Sequence, residues 1–210
     1  AQPVLVSLNG EEGRQKDVFR KMMRFTAFIT FPLLFCFGLV AKEFIVTAIG
    51  EKWLASAQLI QILCISGATM PLSTLFSNMI ISKGRSGTFF WCTFTLGLVQ
   101  IATMIMIWPM GIRTMVIAYT LLNTSWLLVW LFFVRRLIGY GYWMFFCDVM
   151  PFALAAAGVM GVAYVATMPL SNMIALLITR FIIAVVLYYV VMKIARVKIL
   201  AECERFVKRS

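Results

Sequence analysis

The stretch TFFWCTFTLGLVQIATMIMIWPM, residues 88–110, carries no charged side chain. As one helix it is long enough to cross a hydrocarbon layer about 30 Å thick. Its apolar residues form one continuous run, whereas a strand of a membrane β-barrel alternates apolar and polar residues. Five other runs of similar length are found at residues 25–49, 57–81, 115–134, 145–167 and 170–194. The sequence therefore predicts an all-α, polytopic transmembrane helical bundle of about six spans.

The overall composition agrees with this class of protein. Hydrophobic residues make up 62% of the chain and charged residues 13%, too few for the surface of a water-soluble domain of 210 residues. The net charge of +11 would also suit a nucleic-acid-binding protein, but the basic residues lie in short clusters between apolar runs. In those positions they contact anionic lipid headgroups, so we predict membrane lipids and no nucleic acid as partners.

The basic residues are divided unequally between the two sides of the predicted bundle. Of the 19 Lys and Arg residues, 15 precede the first span, lie at the C-terminal end of the last span or after it, or lie in the loops after spans two and four. Lys42, Lys52 and Arg113 lie on the opposite side, and Arg180 lies inside a span. Because basic loops remain in the cytoplasm, both termini are predicted to be cytoplasmic.

The charge and hydropathy pattern divides the chain into four parts. Residues 1–24 are polar and are predicted to form a cytoplasmic loop or an amphipathic segment at the membrane surface. Residues 25–137 hold four spans, residues 138–194 form a two-helix hairpin, and residues 195–210 form a basic cytoplasmic tail. Tyr140, at the start of the fifth span, is predicted to anchor that span at the membrane interface.

Side chains that could perform catalysis or bind a metal are scarce. The chain has no His, and its five cysteines are not arranged in pairs, so neither a metal site nor a cofactor is predicted. Asp148, near the start of the fifth span, is interpreted in two ways. It is either a proton or ion site, or a structural carboxylate at a helix N-terminus within reach of Arg135 or Arg136. No catalytic residue and no enzymatic activity are predicted.

Arg180 is the one charged residue deep inside a predicted span. An arginine in that position costs several kcal/mol unless it faces a cavity, a partner or an anionic ligand. The alternative is a side chain that extends to the membrane interface. Both interpretations stay open on the sequence alone.

Three consecutive spans carry polar side chains that are candidates for a substrate path. In the second span they fall on about half of the helix circumference, at about 100° per residue. These polar residues are Gln58, Gln61, Ser66, Thr69, Ser73 and Ser77 in the second span, Gln100 in the third, and Thr120, Asn123 and Thr124 in the fourth. They either form hydrogen bonds between helices or line a hydrated central path.

Several segments resemble the polysaccharide or oligosaccharide flippases (Wzx type) of the multidrug/oligosaccharidyl-lipid/polysaccharide exporter superfamily. Residues 3–34, PVLVSLNGEEGRQKDVFRKMMRFTAFITFPLL, are similar to a loop between two spans in the middle of those proteins. GEKWLASAQLIQILCISG, residues 50–67, resembles an outer turn that leads into the next helix. SKGRS, residues 82–86, and GYGYWMFFCDVMPF, residues 139–152, resemble the two following cytoplasmic connections.

This resemblance implies an architecture and a function. Members of the family are about twice as long as this chain, with two lobes of helices that face each other across a central cavity. By likeness, spans one to four are the last helices of the second lobe, spans five and six are an appended pair, and the N-terminal part of the protein lies upstream. The implied activity is the transfer of a polyprenyl-pyrophosphate-linked oligosaccharide across the bacterial cytoplasmic membrane by alternating access, coupled to an ion. The polysaccharide polymerase machinery is a further implied partner.

The sequence has the features that this implied activity needs, with one exception. The polar faces are expected to contact the sugars and Arg180 the pyrophosphate, so Arg180→Ala should lower polysaccharide export at a normal protein level. No carboxylate is expected deep in the membrane, so an acid that couples transport to protons or sodium is expected upstream.

Three other interpretations stay open. The chain would also suit a drug exporter or a peptidoglycan-precursor flippase of the same superfamily, which share its architecture. It would also suit part of a membrane-embedded glycosyl- or acyltransferase, or a non-catalytic membrane scaffold.

Overall fold

The computed structural model describes residues 2–8, 10–168 and 173–194, and every regular element in these ranges is helical. The α-helices are α1 (Gln2–Ser7), α2 (Glu12–Ala48), α3 (Leu54–Ser82), α4 (Ser86–Ile107), α5 (Ile112–Ile138), α6 (Tyr142–Ala166) and α7 (Met173–Ile194). Six of them, α2 to α7, contain segments long and apolar enough to cross a membrane. The predicted fold class and number of spans are therefore confirmed. The tail predicted for residues 195–210 lies outside the described residues.

The first membrane-spanning helix begins well before the apolar run that predicts it. Helix α2 is continuous over 37 residues and has no break near residue 25. Its N-terminal part buries Gln15, Phe19 and Met23 at four-residue spacing, while Asp17 and Lys21 between them are exposed. Residues that repeat every four positions lie on one face of a helix, and here that face packs inside the protein. This packing explains why the helix extends to residues that precede the apolar run.

The helices contribute to two compact units. The first unit comprises residues 1–30 and 62–150, and the second comprises residues 31–61 and 151–210. Helices α2, α3 and α6 each contribute one part to the first unit and the other part to the second.

An aromatic cluster lies in the core of the first unit. Phe19 of α2 contacts Phe76 of α3, with ring centroids 5.8 Å apart, and Tyr140 edge-on, at 5.4 Å. Phe76 also contacts Phe145 of α6 at 5.8 Å. Phe19, Phe76 and Tyr140 are each 0% exposed, so the cluster connects these segments by apolar burial and by favourable ring geometry.

The turn after α5 places Tyr140 in this cluster. Gly139 has a φ of +66°, in the left-handed region that favours glycine, and its amide donates a hydrogen bond to the carbonyl of Arg135 at 2.9 Å. The chain therefore leaves the helix sharply, and the next side chain is fully buried. The prediction that Tyr140 is an interfacial anchor is wrong, because its ring packs inside the protein.

In the second unit, the buried residues of α6 repeat at helical spacing, with Ala156, Val159, Met160 and Ala163 in its core. A buried ion pair also joins α2 to α7 in this unit.

Candidate functional site

A cavity of about 230 Å³ lies between α3, α4 and α5 in the first unit, and we call it the α3–α5 cavity. Its lining residues are Ser66, Thr69, Met70, Ser73, Thr74 and Ser77 from α3, Phe89, Thr93 and Leu96 from α4, and Asn123, Trp126 and Trp130 from α5. It therefore brings together the predicted site residues Thr69, Ser73 and Asn123. The volume is sufficient for several water molecules or for one sugar ring.

The hydroxyl groups of α3 present acceptor oxygens to this cavity. Thr69 donates its hydroxyl hydrogen to the carbonyl of Ser66 at 2.8 Å, and Ser77 donates to the carbonyl of Ser73 at 2.7 Å. Ser73 bonds in the same way to the carbonyl of Thr69 at 3.4 Å. Because each hydrogen is used within the helix, the oxygen lone pairs remain for a ligand or water.

Helix α5 adds an aromatic wall and polar groups. The ring of Trp130 stacks on Phe89 with centroids 6.1 Å apart and 27° between the planes. Asn123 donates its amide hydrogen to the carbonyl of Tyr119 at 3.0 Å. The indole N–H of Trp126 is buried and has no hydrogen-bond partner among the described residues. Such a group costs about 1–3 kcal/mol when left unpaired, which favours a bound water or ligand.

The lining contains no charged residue. A ligand that suits it is therefore neutral, with hydroxyl groups that donate to serine and threonine oxygens and apolar faces that pack against aromatic rings. A polyhydroxylated ring meets both requirements, whereas an anion would find no positive charge in this lining.

The other polar residues predicted for the path lie elsewhere. Gln100 lines an open groove between α4 and α5, otherwise mostly apolar, which also contains Trp108 and Tyr119. In the second unit, Gln58 is exposed, and Gln61 donates a hydrogen bond to the carbonyl of Gly38 at 3.1 Å. Neither Gln58 nor Gln61 lines the α3–α5 cavity.

Arg180 of α7 forms a buried ion pair with Glu43 of α2 in the second unit. Its Nη1 atom donates to Glu43 Oε1 at 2.6 Å, and its Nε atom donates to the hydroxyl of Thr167 at 2.9 Å. The ring of Tyr164 lies 5.0 Å from the guanidinium carbon. The side chains of Arg180 and Glu43 are 8% and 7% exposed.

These contacts favour a structural role for Arg180, because the adjacent carboxylate balances its charge. A bound pyrophosphate would have to compete with Glu43 for the guanidinium. The sequence did not indicate this pairing, since Glu43 lies near the far end of the first apolar run and Arg180 lies in the last one.

Asp148 of α6 is fully buried and accepts hydrogen bonds from three side chains of the first unit. Arg20 donates to it through Nε at 2.9 Å and through Nη2 at 3.1 Å, and Arg24 donates through Nε at 2.6 Å. The hydroxyl of Tyr140 donates at 3.2 Å. We call these four residues the Asp148 cluster.

The predicted partners of Asp148 were wrong, since its carboxylate pairs with two arginines of α2. Arg135 lies instead over the ring of Tyr142, at 5.5 Å, and Arg136 over that of Phe132, at 4.3 Å. Burial, followed by the nearby Asp148 carboxylate, raises the pKa of Tyr140, so its hydroxyl stays protonated and donates. The contacts favour the structural interpretation of Asp148 over a titrating ion site.

Residues 1–58 match the family described as "Polysaccharide biosynthesis protein". The chain is 29% identical over 83 residues to the "Uncharacterized membrane protein in cps region" of Klebsiella pneumoniae, an alignment that covers 40% of this chain and 17% of the relative. It is 26% identical over 159 residues to the "Teichuronic acid biosynthesis protein TuaB" of Bacillus subtilis (strain 168), covering 75% of this chain and 33% of the relative. No solved structure matches the chain.

The helices and the comparisons together define a multi-pass α-helical membrane protein. The chain is similar to membrane proteins of polysaccharide biosynthesis, and its aligned residues span at most one third of the length of the two relatives.

Proposed function

We propose that this chain acts within a transporter of the bacterial cytoplasmic membrane, with both its termini in the cytoplasm. The transporter moves polyprenyl-pyrophosphate-linked oligosaccharide units across that membrane during polysaccharide biosynthesis. The observation that carries the proposal is the α3–α5 cavity, which combines hydroxyl oxygens, an amide and stacked aromatic rings without any charge. Within an apolar helical protein, such a lining suits the sugar part of a lipid-linked substrate.

The similarity to polysaccharide biosynthesis proteins supports the same proposal. TuaB carries the words "teichuronic acid biosynthesis" in its name, and the other relative is named for a cps region. A lipid-linked sugar that is assembled on one side of a membrane and used on the other needs a protein to carry it across. By the flippase resemblance, we propose that the chain forms the C-terminal part of that protein and acts by alternating access.

Deletion of the gene tests this proposal. We expect lipid-linked oligosaccharide to accumulate in the membrane fraction and polysaccharide to disappear from the cell surface, both restored by the wild-type gene. Hypersensitivity to drugs without accumulation of the lipid-linked intermediate would overturn the proposal in favour of a drug exporter. Turnover of a labelled sugar or acyl donor by the purified protein would overturn it in favour of a transferase.

Filling the α3–α5 cavity should reduce transport. Ser73→Leu and Asn123→Leu each remove a polar group from the lining and add apolar volume, so we expect surface polysaccharide to fall by roughly tenfold, the equivalent of about 1.4 kcal/mol. The measurement is surface polysaccharide per amount of protein in the membrane, because the substitutions should leave that amount nearly unchanged.

Ser125→Leu is the matched control for these variants. Ser125 lies on α5 two residues after Asn123, but it is exposed and does not line the cavity. Wild-type export in Ser73→Leu and Asn123→Leu, or an equal loss in Ser125→Leu, would show that the cavity does not carry the sugar.

A further inference from the structure

Arg20 and Arg24 lie one helical turn apart on α2, and both bond the same carboxylate. Their bonds to Asp148 use the Nε and Nη2 atoms of each guanidinium. The Nη1 groups take no part in these bonds, so each guanidinium retains N–H donors for a further acceptor. The side chains of Arg20 and Arg24 are 29% and 40% exposed, whereas Asp148 is 0% exposed.

The charge of this cluster is not balanced. Two guanidinium groups face one carboxylate, and Tyr140 is neutral, which leaves one net positive charge. The charged residues between and just before the arginines on α2 are Lys16, Asp17 and Lys21, and they add one more positive charge. At the start of α6 and the end of α5, the nearest further charges in sequence are Arg135 and Arg136. An anion that approaches the exposed edges of Arg20 and Arg24 therefore meets a positive potential.

Asp148 and Tyr140 also restrict the orientation of the two arginines. Asp148 is fixed by the hydroxyl of Tyr140, whose ring is fully buried against Phe19. A guanidinium that is already oriented loses less conformational entropy when it binds a second acceptor. This distinguishes the pair from the other arginine on the same segment, Arg14, which is 69% exposed and bonds only the exposed Glu11 among the described residues.

We propose that Arg20 and Arg24 bind the phosphate group of an anionic lipid, with Asp148 and Tyr140 as the residues that position them. Planar guanidinium groups are suited to phosphate because they donate two parallel hydrogen bonds. The phosphate has two possible sources, an anionic phospholipid headgroup or the pyrophosphate of a polyprenyl-linked sugar. The second source rests on the proposed function. In that case the pyrophosphate binds to Arg20 and Arg24 rather than to Arg180, whose charge Glu43 balances.

Lipid binding to the full-length protein tests this proposal. Native mass spectrometry of the detergent-purified protein, titrated separately with phosphatidylglycerol and with undecaprenyl pyrophosphate, gives an affinity for each probe. We expect Arg24→Gln to weaken binding of at least one probe by roughly tenfold, as for the loss of one charge-assisted hydrogen bond. Arg14→Gln removes the same charge from the same helix and should change either affinity less than about twofold.

Asp148→Asn separates a positioned site from general attraction between charges. This change raises the net positive charge but weakens the hold on both arginines. If Asp148 positions them, the affinity for the probe falls, and if only net charge matters, it rises. The comparison is made on the folded fraction, isolated by size-exclusion chromatography.

Each outcome decides between the sources or overturns the site. Weaker binding of phosphatidylglycerol alone assigns the site to a phospholipid headgroup, weaker binding of undecaprenyl pyrophosphate alone assigns it to the substrate, and weaker binding of both shows a site shared by the two lipids. Equal effects of Arg24→Gln and Arg14→Gln, or higher affinity in Asp148→Asn, would overturn the proposal. A gene deletion that leaves export intact would instead refute the proposed function and leave a phospholipid site standing.

Discussion

Replacement of Arg180 with methionine is expected to destabilise the protein by about 3–5 kcal/mol, because it leaves the carboxylate of Glu43 buried without its counter-ion. The two side chains are 8% and 7% exposed, and Arg180 Nη1 lies 2.6 Å from Glu43 Oε1. Glu43 Oε2 has no hydrogen-bond partner among the described residues, so little else stabilises the charge. The loss should be visible as less folded protein in the membrane and a lower melting temperature in detergent.

The double variant Glu43→Gln/Arg180→Met distinguishes the ion pair from the side chain itself. It removes both charges, so it should recover most of the stability lost in Arg180→Met. Lys42→Met is the matched control, because Lys42 is an exposed cation beside Glu43 and its loss should change stability little.

This experiment also decides between two roles for Arg180. The structural role predicts a parallel fall in protein level and export. A normal level and melting temperature of Arg180→Met, with export lost, would contradict the structural role and support the contact with substrate predicted from the sequence.

Replacement of Asp148 with alanine is expected to have the second largest effect, a destabilisation of about 3 kcal/mol. It leaves two guanidinium groups one helical turn apart without the carboxylate that both of them bond. The effect should be smaller than for Arg180→Met, because Arg20 and Arg24 are partly exposed and water screens their repulsion. Thermal unfolding in detergent measures the loss.

Two further variants test whether the effect is specific to Asp148. Asp17→Ala removes an exposed carboxylate from α2 and should leave the melting temperature nearly unchanged. Arg24→Met in the Asp148→Ala background removes one of the repelling charges and should recover part of the stability. If the Asp148→Ala protein has the same melting temperature as the wild type, the Asp148 cluster does not stabilise the fold.

The hydropathy pattern predicted most of the fold correctly. Runs such as residues 88–110 have to be helical in a membrane, since an extended chain would leave its backbone amides and carbonyls without partners. The start of α2 was harder to predict. Residues 12–24 are too charged to be recognised as part of a span, and only the burial of Phe19 and Met23 shows that the helix is continuous.

The candidate site was predictable only in part. Thr69, Ser73 and Asn123 were recognised as polar residues within apolar runs, and they do line one cavity. Trp126, Trp130 and Phe89 were missed, because aromatic residues in a membrane helix usually face lipid and nothing in their spacing marks a cavity. Gln100 has the same polar character as Asn123, yet it lies in a different groove.

Neighbouring residues along the chain are enough to specify that the chain is helical, that it has six segments able to span a membrane and which faces of those segments are polar. Which charges pair is set by the packing of the helices. Arg180 and Glu43 are 137 residues apart in sequence, and Arg20 and Asp148 are 128 apart. Such pairs depend on which helices pack together and at what rotation, and hydropathy specifies neither.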